Sequence, residues 1–273
     1  MSNETVLITG CSSGIGRATA EAFLDDEWTV WATARDADDV AALADAGART
    51  AELDVTHPAQ CRQVVERVVD AEGRLDCLVN NAGYAQMGAV EDVPTRRVNA
   101  QFDVNVYGPH RLIRAALPHM RERGEGTVVN VSSVAGRVST PGMGVYSASK
   151  YALEALSDAL RGELEPHGVD VALVEPGPVE TNFDARAAES LEPVDASGAY
   201  GRVYSFLEDY DAVSGMGVSQ PEDVAAVVLE AASTTDPDPR YPVGSMGAFG
   251  SLARYLPDRI RDRIVDLLYG LAG

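Results

Sequence analysis

Tyr146 opens and Lys150 closes the stretch YSASK, and their types and spacing carry the most direct chemistry in this chain. Four residues apart on a helix, they share one face and stand one turn from each other. A free tyrosine has a pKa of about 10, too high for a base near neutrality. An ammonium group held beside it stabilises the phenolate and lowers that value. The tyrosine can then give a proton to a carbonyl oxygen, or take one from an alcohol. Lys150 is also the sole lysine in 273 residues; the other 21 of the 22 Lys+Arg positions are arginine. Arginine is permanently charged and planar, whereas the proton affinity of a lysine is tunable. A lysine kept in a chain that otherwise excludes it marks a place where that tunability is used.

A second constellation lies near the amino terminus. The run TVLITG leads into Gly10, Gly14 and Gly16 at G-x-x-x-G-x-G spacing, with a helical pattern behind it. Between a strand and a helix, such a loop lets the backbone approach a pyrophosphate at the helix N-terminus. The spacing differs from the G-x-G-x-x-G dinucleotide fingerprint, and a glycine trio by itself is equally compatible with a plain tight turn.

The elements that must position these residues are legible as alternating patterns. Short β-branched runs recur at 5–10, 28–34, 76–83, 126–133 and 169–177. Between them lie helical patterns: 16–26 carries Ala18, Ala22 and Phe23 on one stripe, and 58–73 carries Val64, Val65, Val68 and Val69. Strand alternating with helix predicts an α/β fold with a parallel sheet covered on both faces and right-handed crossovers. Ligands of such sheets bind beyond the carboxyl ends of the strands, which is where the chemically interesting residues fall. No linker or internal repeat breaks the chain, so one domain over 1–273 is expected. After Thr181 the pattern loosens into a polar stretch, 182–220, before the helix QPEDVAAVVLEAA and a C-terminal helix and strand region, 221–273.

With the motif T-G-x-x-x-G-x-G in place, the chain resembles the short-chain dehydrogenase/reductase family. The family's other motifs follow in order: Asp54 after the third strand, the N-N-A-G run Asn80 to Gly83, Asn105, Ser133, Tyr146, Lys150, and the Pro176-Gly177 loop reaching Thr181. The resemblance is strong over about residues 4 to 181 and weak beyond. It implies a Rossmann-type doubly wound sheet and a catalytic tetrad of Asn105, Ser133, Tyr146 and Lys150. In that scheme Ser133 hydrogen-bonds the substrate oxygen and stabilises charge developing there, while the adjacent Ser132 is read as a loop residue. Lys150 holds the nicotinamide ribose and joins a water relay to Asn105. The cofactor carries the hydride, so no nucleophile or metal is required.

The resemblance also implies a cofactor cradle of Gly10, Ser12, Ser13, Gly14, Ile15 and Gly16. Asp54 and Val55 resemble the pair that contacts adenine, and Asn81, Ala82 and Gly83 shape the wall beside the adenosine ribose. Pro176, Gly177, Val179 and Thr181 orient the nicotinamide. An acidic residue at the end of the second strand would select NAD. The family pattern puts Ala34 at that position with Arg35 next, and a guanidinium there pairs with a 2′-phosphate. NADP(H) is therefore expected over NAD(H), although a one-residue slip would make Asp36 a ribose ligand. The other basic position that NADP-preferring relatives use, before the second loop glycine, holds Ser13.

Composition narrows the remainder. A formal charge of −20 with 42 acidic residues argues against a nucleic-acid backbone as partner. The same acidity, almost without lysine, points to a salt-rich cell interior; genome bias toward arginine codons explains the missing lysines but not the acids. No run approaches the roughly 20 apolar residues of a membrane helix, and no basic leader precedes the first strand. Cys11, Cys61 and Cys77 show no pairing or metal spacing, nor do the four histidines. The expectation is a metal-free, cytoplasmic homo-oligomer, dimer or tetramer, acting on a hydrophobic carbonyl or alcohol.

The 182–220 stretch carries Phe183, Tyr200, Tyr204, Phe206 and Tyr210, enough aromatic surface either to cover an apolar substrate or to pack a lid onto the domain. The run VEPGPVETNF resembles the branch that acts on steroid- and retinol-like alcohols. Near the C-terminus, Ile260, Ile264, Leu267 and Leu268 form one face of an amphipathic helix. Its mixed charge suits docking or subunit contact better than anionic lipid. Two other functions share parts of this pattern. An epimerase or dehydratase shares Tyr146 and Lys150, but those relatives have another glycine spacing and a larger C-terminal substrate domain. A non-catalytic cofactor sensor need not keep the whole tetrad.

Overall fold

The computed structural model describes residues 4–181, 197–208, 218–253 and 255–271. The chain opens with β1 (Thr5–Thr9), α1 (Gly14–Asp25), β2 (Thr29–Ala34), α2 (Ala41–Asp45), β3 (Arg49–Glu52), α3 (Pro58–Glu72) and β4 (Cys77–Asn80). It continues with α4 (Thr95–Phe102), α5 (Gly108–Arg123), β5 (Gly126–Val131), α6 (Gly144–Leu164) and β6 (Val169–Pro176). The carboxyl part adds α7 (Gly201–Glu208), α8 (Pro221–Ser233), β7 (Arg240–Val243), α9 (Gly244–Ala253) and α10 (Asp258–Leu271). The seven strands form one sheet in the order β3-β2-β1-β4-β5-β6-β7. Every pairing is parallel.

Successive side chains of a strand point to opposite faces, so each apolar strand feeds two cores. Val6 and Ile8 of β1 pack with Phe23, Val30, Val79, Val129 and Val228 on one face. Leu7, with Trp31, Leu78 and Val128, packs on the other against Val64, Val65 and Val68 of α3 and Leu112 and Met120 of α5. The continuous apolar runs of the sequence are what a sheet buried on both faces requires. Of the expected helix stripes, Ala18 and Phe23 are buried while Ala22 and Val69 lie at its margin. All three cysteines are buried free thiols, and burial pushes Cys11 up to about 12 and Cys61 up to about 11.

Because all strands run the same way, their carboxyl ends make one edge. From β1 the chain steps to β2 and β3 on one side, and from β4 to β7 on the other. The chain leaves β1 and β4 toward opposite sides of the sheet, and a crevice opens beyond the strand ends at this switch point. The short strand β7 had no expected bounds within 221–273. Its four residues, RYPV, are only partly apolar and lie at the sheet edge. Among the described residues no helix is long and apolar enough to cross a membrane.

Candidate active site

At that edge lies a cavity of about 870 Å³. Every residue expected to bind cofactor, from Gly10 to Thr181, lines it, together with Ser133, Tyr146 and Lys150. Asn105 alone of the expected residues lies behind the wall, buried.

The crevice is built by two loops that hold each other. Asn81 Nδ2 donates to the carbonyls of Thr9 at 2.9 Å and Gly10 at 3.2 Å. The N–H groups of Asn81 and Ala82 both donate to Thr9 Oγ1 at 3.0 Å. Gly16 sits in this junction: a Cβ there would stand 2.2 Å from Gly10 O and 2.4 Å from Asn81 Nδ2. The glycine is fixed by packing, which ties the T-G-x-x-x-G-x-G and N-N-A-G motifs into one structure. Thr181 closes over the loop, since a Cβ on Gly14 would meet its Cγ2 at 3.0 Å.

Ser13 stands at the N-cap position of α1 in extended conformation without a side-chain capping bond, and no acidic residue occupies the first turn of that helix. Its first N–H groups have no intrahelical acceptors and point, with the positive end of the helix dipole, toward the cavity. That arrangement fits a pyrophosphate. Arg35 lines the cavity, whereas the Asp36 carboxylate accepts from Asp38 N at 3.0 Å and caps the short turn Ala37–Val40. Asp54 accepts from Thr56 N at 2.9 Å and Thr56 Oγ1 at 2.7 Å. Burial pushes its carboxyl up, but the Thr56 bonds, His57 and Arg35 outweigh it and leave the pKa lowered.

Tyr146 and Lys150 sit in the first two turns of α6, each about 6% exposed. Lys150 Nζ lies 5.8 Å from the centroid of the Tyr146 ring and donates to Val131 O at 2.8 Å. Burial lowers its pKa to about 8, with Glu154 pulling the other way. Ser133 caps the short turn Val134–Gly136 by accepting from Ala135 N at 3.1 Å, and its hydroxyl donates to Pro176 O at 3.4 Å. It therefore links the end of β5 to the end of β6. Asn105 lies in a π-helical turn, Asp103–Tyr107, between α4 and α5. Its side chain clasps the backbone of Tyr84, accepting at 3.2 Å and donating at 3.0 Å, and donates to Ser149 Oγ at 3.2 Å. Such turns are frequent at functional sites.

Beside Tyr146 one wall of the cavity is apolar. Met87, Ala135, Met143 and Phe206 pack around Tyr146 in a cluster of their own. The lid aromatics divide between the two expected roles. Phe206 lines the cavity. Tyr204 donates to Asp92 at 2.9 Å and Tyr200 donates to Glu91, tying α7 to the loop after β4. Phe183 and Tyr210 lie outside the described residues, as do the side chains of Ile264, Leu267 and Leu268. Ile260 is exposed, and Arg261 of α10 reaches the cavity.

Four functional-looking residues had no signal strong enough to single them out. Arg137, Glu154, Glu175 and Arg240 form a charged cluster around the buried Glu154 and Glu175 carboxylates. Glu154 continues the four-residue spacing from Tyr146 through Lys150, a usable clue; the other three come from distant parts of the chain. Ser132 is a loop residue as expected, yet it is buried, with its hydroxyl beside the Glu154 side chain.

Comparison with known proteins bears on the family of the chain. The family model for short chain dehydrogenase matches residues 4–192. Human 17-beta-hydroxysteroid dehydrogenase type 1 is 38% identical over 256 residues, covering 88% of this chain and 77% of that protein. A short-chain dehydrogenase structure from Streptomyces avermitilis is 36% identical with a TM-score of 0.84, covering 97% of this chain and 96% of the other. A short-chain dehydrogenase/reductase from Burkholderia phymatum, solved with NAD, is 28% identical with a TM-score of 0.78 over 92% and 93% of the two chains. A serine dehydrogenase solved with NADP+ is 26% identical with a TM-score of 0.74 over 88% and 94%. With a parallel seven-stranded sheet, a nicotinamide-type crevice and these relatives, the chain belongs to the short-chain dehydrogenase family of oxidoreductases.

Proposed function

We propose that the protein is an NADP(H)-dependent oxidoreductase that interconverts a hydrophobic ketone or aldehyde with its alcohol. The observation that carries this reading is a single cavity that joins a pyrophosphate-type helix terminus to Tyr146, Lys150 and Ser133 under an apolar roof. A bound nicotinamide supplies or accepts the hydride. Tyr146 Oη gives its proton to the substrate oxygen in reduction and takes it back in oxidation. Ser133 Oγ leaves its long bond to Pro176 O and donates to that oxygen, stabilising its developing charge. Lys150 keeps a positive charge beside the Tyr146 ring, so the phenolate left after proton transfer is stabilised. The relay beyond Lys150 passes through water to the π turn at Asn105, whose side chain is already committed to Tyr84 and Ser149.

Arg35 supports NADP(H): it lines the cavity, while Asp36 is engaged in a turn cap and is absent from the lining. The substrate class follows from Met87, Met143 and Phe206, which offer dispersion contacts and few hydrogen bonds. The test is a panel of apolar ketones, aldehydes and alcohols with each nicotinamide cofactor, followed by the absorbance of the reduced form. Turnover of apolar carbonyls with NADPH is expected. Activity confined to small polar substrates, or to NADH, would overturn the corresponding part.

A further inference from the structure

The catalytic helix carries a third charged residue on its buried face. Tyr146, Lys150 and Glu154 follow one another at four-residue intervals along α6, so each stands one turn from the next. Lys150, Glu154, Arg137 and Glu175 are all at most 6% exposed. Glu154 Oε2 lies 3.1 Å from Arg240 Nε and 3.7 Å from Arg137 Nε. Glu175 Oε1 takes the better geometry on Arg137, at 2.7 Å from Nη2, and stands 3.2 Å from Arg240 Nε, about as far as Glu154 does. Arg240 is further drawn to Asp158, which it reaches at 2.7 Å through both carboxylate oxygens. The two guanidiniums are thus spent largely on Glu175 and Asp158, and Glu154 is left with the weaker share of each.

We propose that Glu154 is a positioning residue whose carboxylate, one turn from Lys150, holds the ammonium charge that Lys150 presents to Tyr146. Around that ammonium stand the Tyr146 ring, 5.8 Å away, and the Val131 carbonyl of β5, with Glu154 one turn further along its own helix. Arg137 from the turn after β5, Glu175 from β6 and Arg240 from β7 form the layer behind Glu154. Burial works against a charged lysine here, and an uncompensated ammonium would shed its proton. Glu154 is the carboxylate placed one turn from Lys150 to oppose burial, whereas Glu175 lies in the layer behind it.

The inference rests on the oxidoreductase reading for its consequence, but its test needs neither substrate nor cofactor. Lys150 is the only lysine in the chain. Protein grown on lysine labelled with carbon-13 at Cε therefore gives a single labelled side-chain resonance, and its shift against pH reports the Lys150 titration without assignment. In Glu154→Gln the midpoint should fall by about one pH unit or more, the effect of an opposite charge at this range. In Glu175→Gln it should move by less than half as much, since Glu154 then gains both guanidiniums but keeps its charge. Should Glu154→Gln fail to fold, Glu154→Gln/Arg240→Gln removes one charge of each sign, leaves the Arg137–Glu175 pair intact, and should still lower the midpoint. An unchanged midpoint in the folded variant overturns the proposal. So does an equal fall in Glu175→Gln, which would make the effect one of bulk charge. A purely structural role would cost stability and leave the resonance where it was. In a catalytic assay the alkaline limb of the Glu154→Gln pH profile should move the same way as the resonance. Absence of turnover with an intact titration shift would count against the substrate reading and not against this one.

Discussion

The two ends of the sheet hold similar charged groups and put them to opposite uses. At the amino edge, Asp76 just before β4 accepts from Arg74 twice at 2.6 Å, from Arg123 at 2.9 Å and from Thr5 N at 2.7 Å. This buried carboxylate meets two guanidiniums and a backbone amide, while the exposed Glu125 shares both guanidiniums at the rim. Burial pushes its carboxyl up, but the Arg74, Thr5 and Arg123 interactions outweigh it and leave the pKa lowered. At the carboxyl edge two carboxylates share their guanidiniums, and Glu154 is pushed up by burial and by Glu175 beyond what Ser132, Arg137 and Arg240 recover. The first cluster is saturated and fastens β1, β4 and β5 together. The second is left incomplete beside a lysine whose proton affinity matters. Saturation gives stability, and an unmet charge gives a field that acts on a neighbour.

The comparison breaks most visibly at Tyr146. Tyr146→Phe should lower turnover by about 10²–10⁴, the usual worth of general acid catalysis, with cofactor affinity and thermal midpoint nearly unchanged. A loss under about tenfold would remove the proton-donor role. Lys150→Arg should fail as well despite its charge, because guanidinium geometry differs and it passes no proton. Normal turnover in that variant would mean that the lone lysine has no chemical meaning.

At the opposite edge the signature should invert. Asp76→Asn takes from Arg74 and Arg123 the buried charge they share, with Glu125 still beside them, and should cost roughly 2–4 kcal/mol of stability, with turnover per folded molecule unchanged. Because the folded pKa of Asp76 is lowered, its stabilisation is fully present above the unfolded value of about 3.9. It is lost as pH falls through the lower folded value. The gap in thermal midpoint between wild type and Asp76→Asn should therefore be wide at neutral pH and close in strong acid. A gap that persists there would mean that the residue acts through packing.

Smaller again is the effect at Arg35. Arg35→Ala should weaken NADP(H) about tenfold or more relative to NAD(H), since a hydrogen bond to a charged group is worth about 1.5–3 kcal/mol. The ratio of the two dissociation constants in wild type and variant measures it. An unchanged ratio would move the discrimination elsewhere in the loop.

These tests fall unevenly on what the sequence made legible. The sheet was readable because each strand is apolar on both faces, as β1 with Val6, Leu7 and Ile8 shows. The site was readable because its motifs are local: a loop after β1, a loop after β4, and two residues one helical turn apart. Strand β7 and the Arg137–Glu154–Glu175–Arg240 cluster were not. RYPV lacks an apolar period, and the cluster joins four segments whose proximity is a property of sheet order and leaves no trace in spacing. Glu154 was half visible, on the periodicity of α6, but a glutamate on a helix is ordinarily a solvated one. That Asp36 caps a turn while Arg35 lines the cavity depends on backbone conformation, which residue types alone leave open.

The smallest effect concerns salt, and it separates the two clusters from the rest of the surface. The chain carries −20 with 42 acidic residues, and Asp25, Asp26 and Glu27 stand exposed side by side at the end of α1. Folding brings such groups closer than they are in the unfolded chain. Repulsion between them reaches about 30 Å at 0.01 M salt and about 3 Å at 1 M. The thermal midpoint should therefore rise from low to molar potassium chloride. Salting-out anions strengthen apolar burial whatever the charge, so chloride and sulfate are compared at matched ionic strength. Charge screening should appear in both and act mostly below about 1 M. Buried pairs are screened far less than exposed ones, so the stability gap between wild type and Asp76→Asn should stay nearly constant across the same titration. A rise of about 1 kcal/mol, roughly 2–4 °C for a chain of this size, with a constant gap would place the salt response on the acidic surface. A flat or falling midpoint would mean that the acidic composition is no adaptation to salt. A gap that shrank with salt would show that the Asp76 cluster is wetter than its 8% exposure implies, and the contrast between the two ends of the sheet would weaken with it.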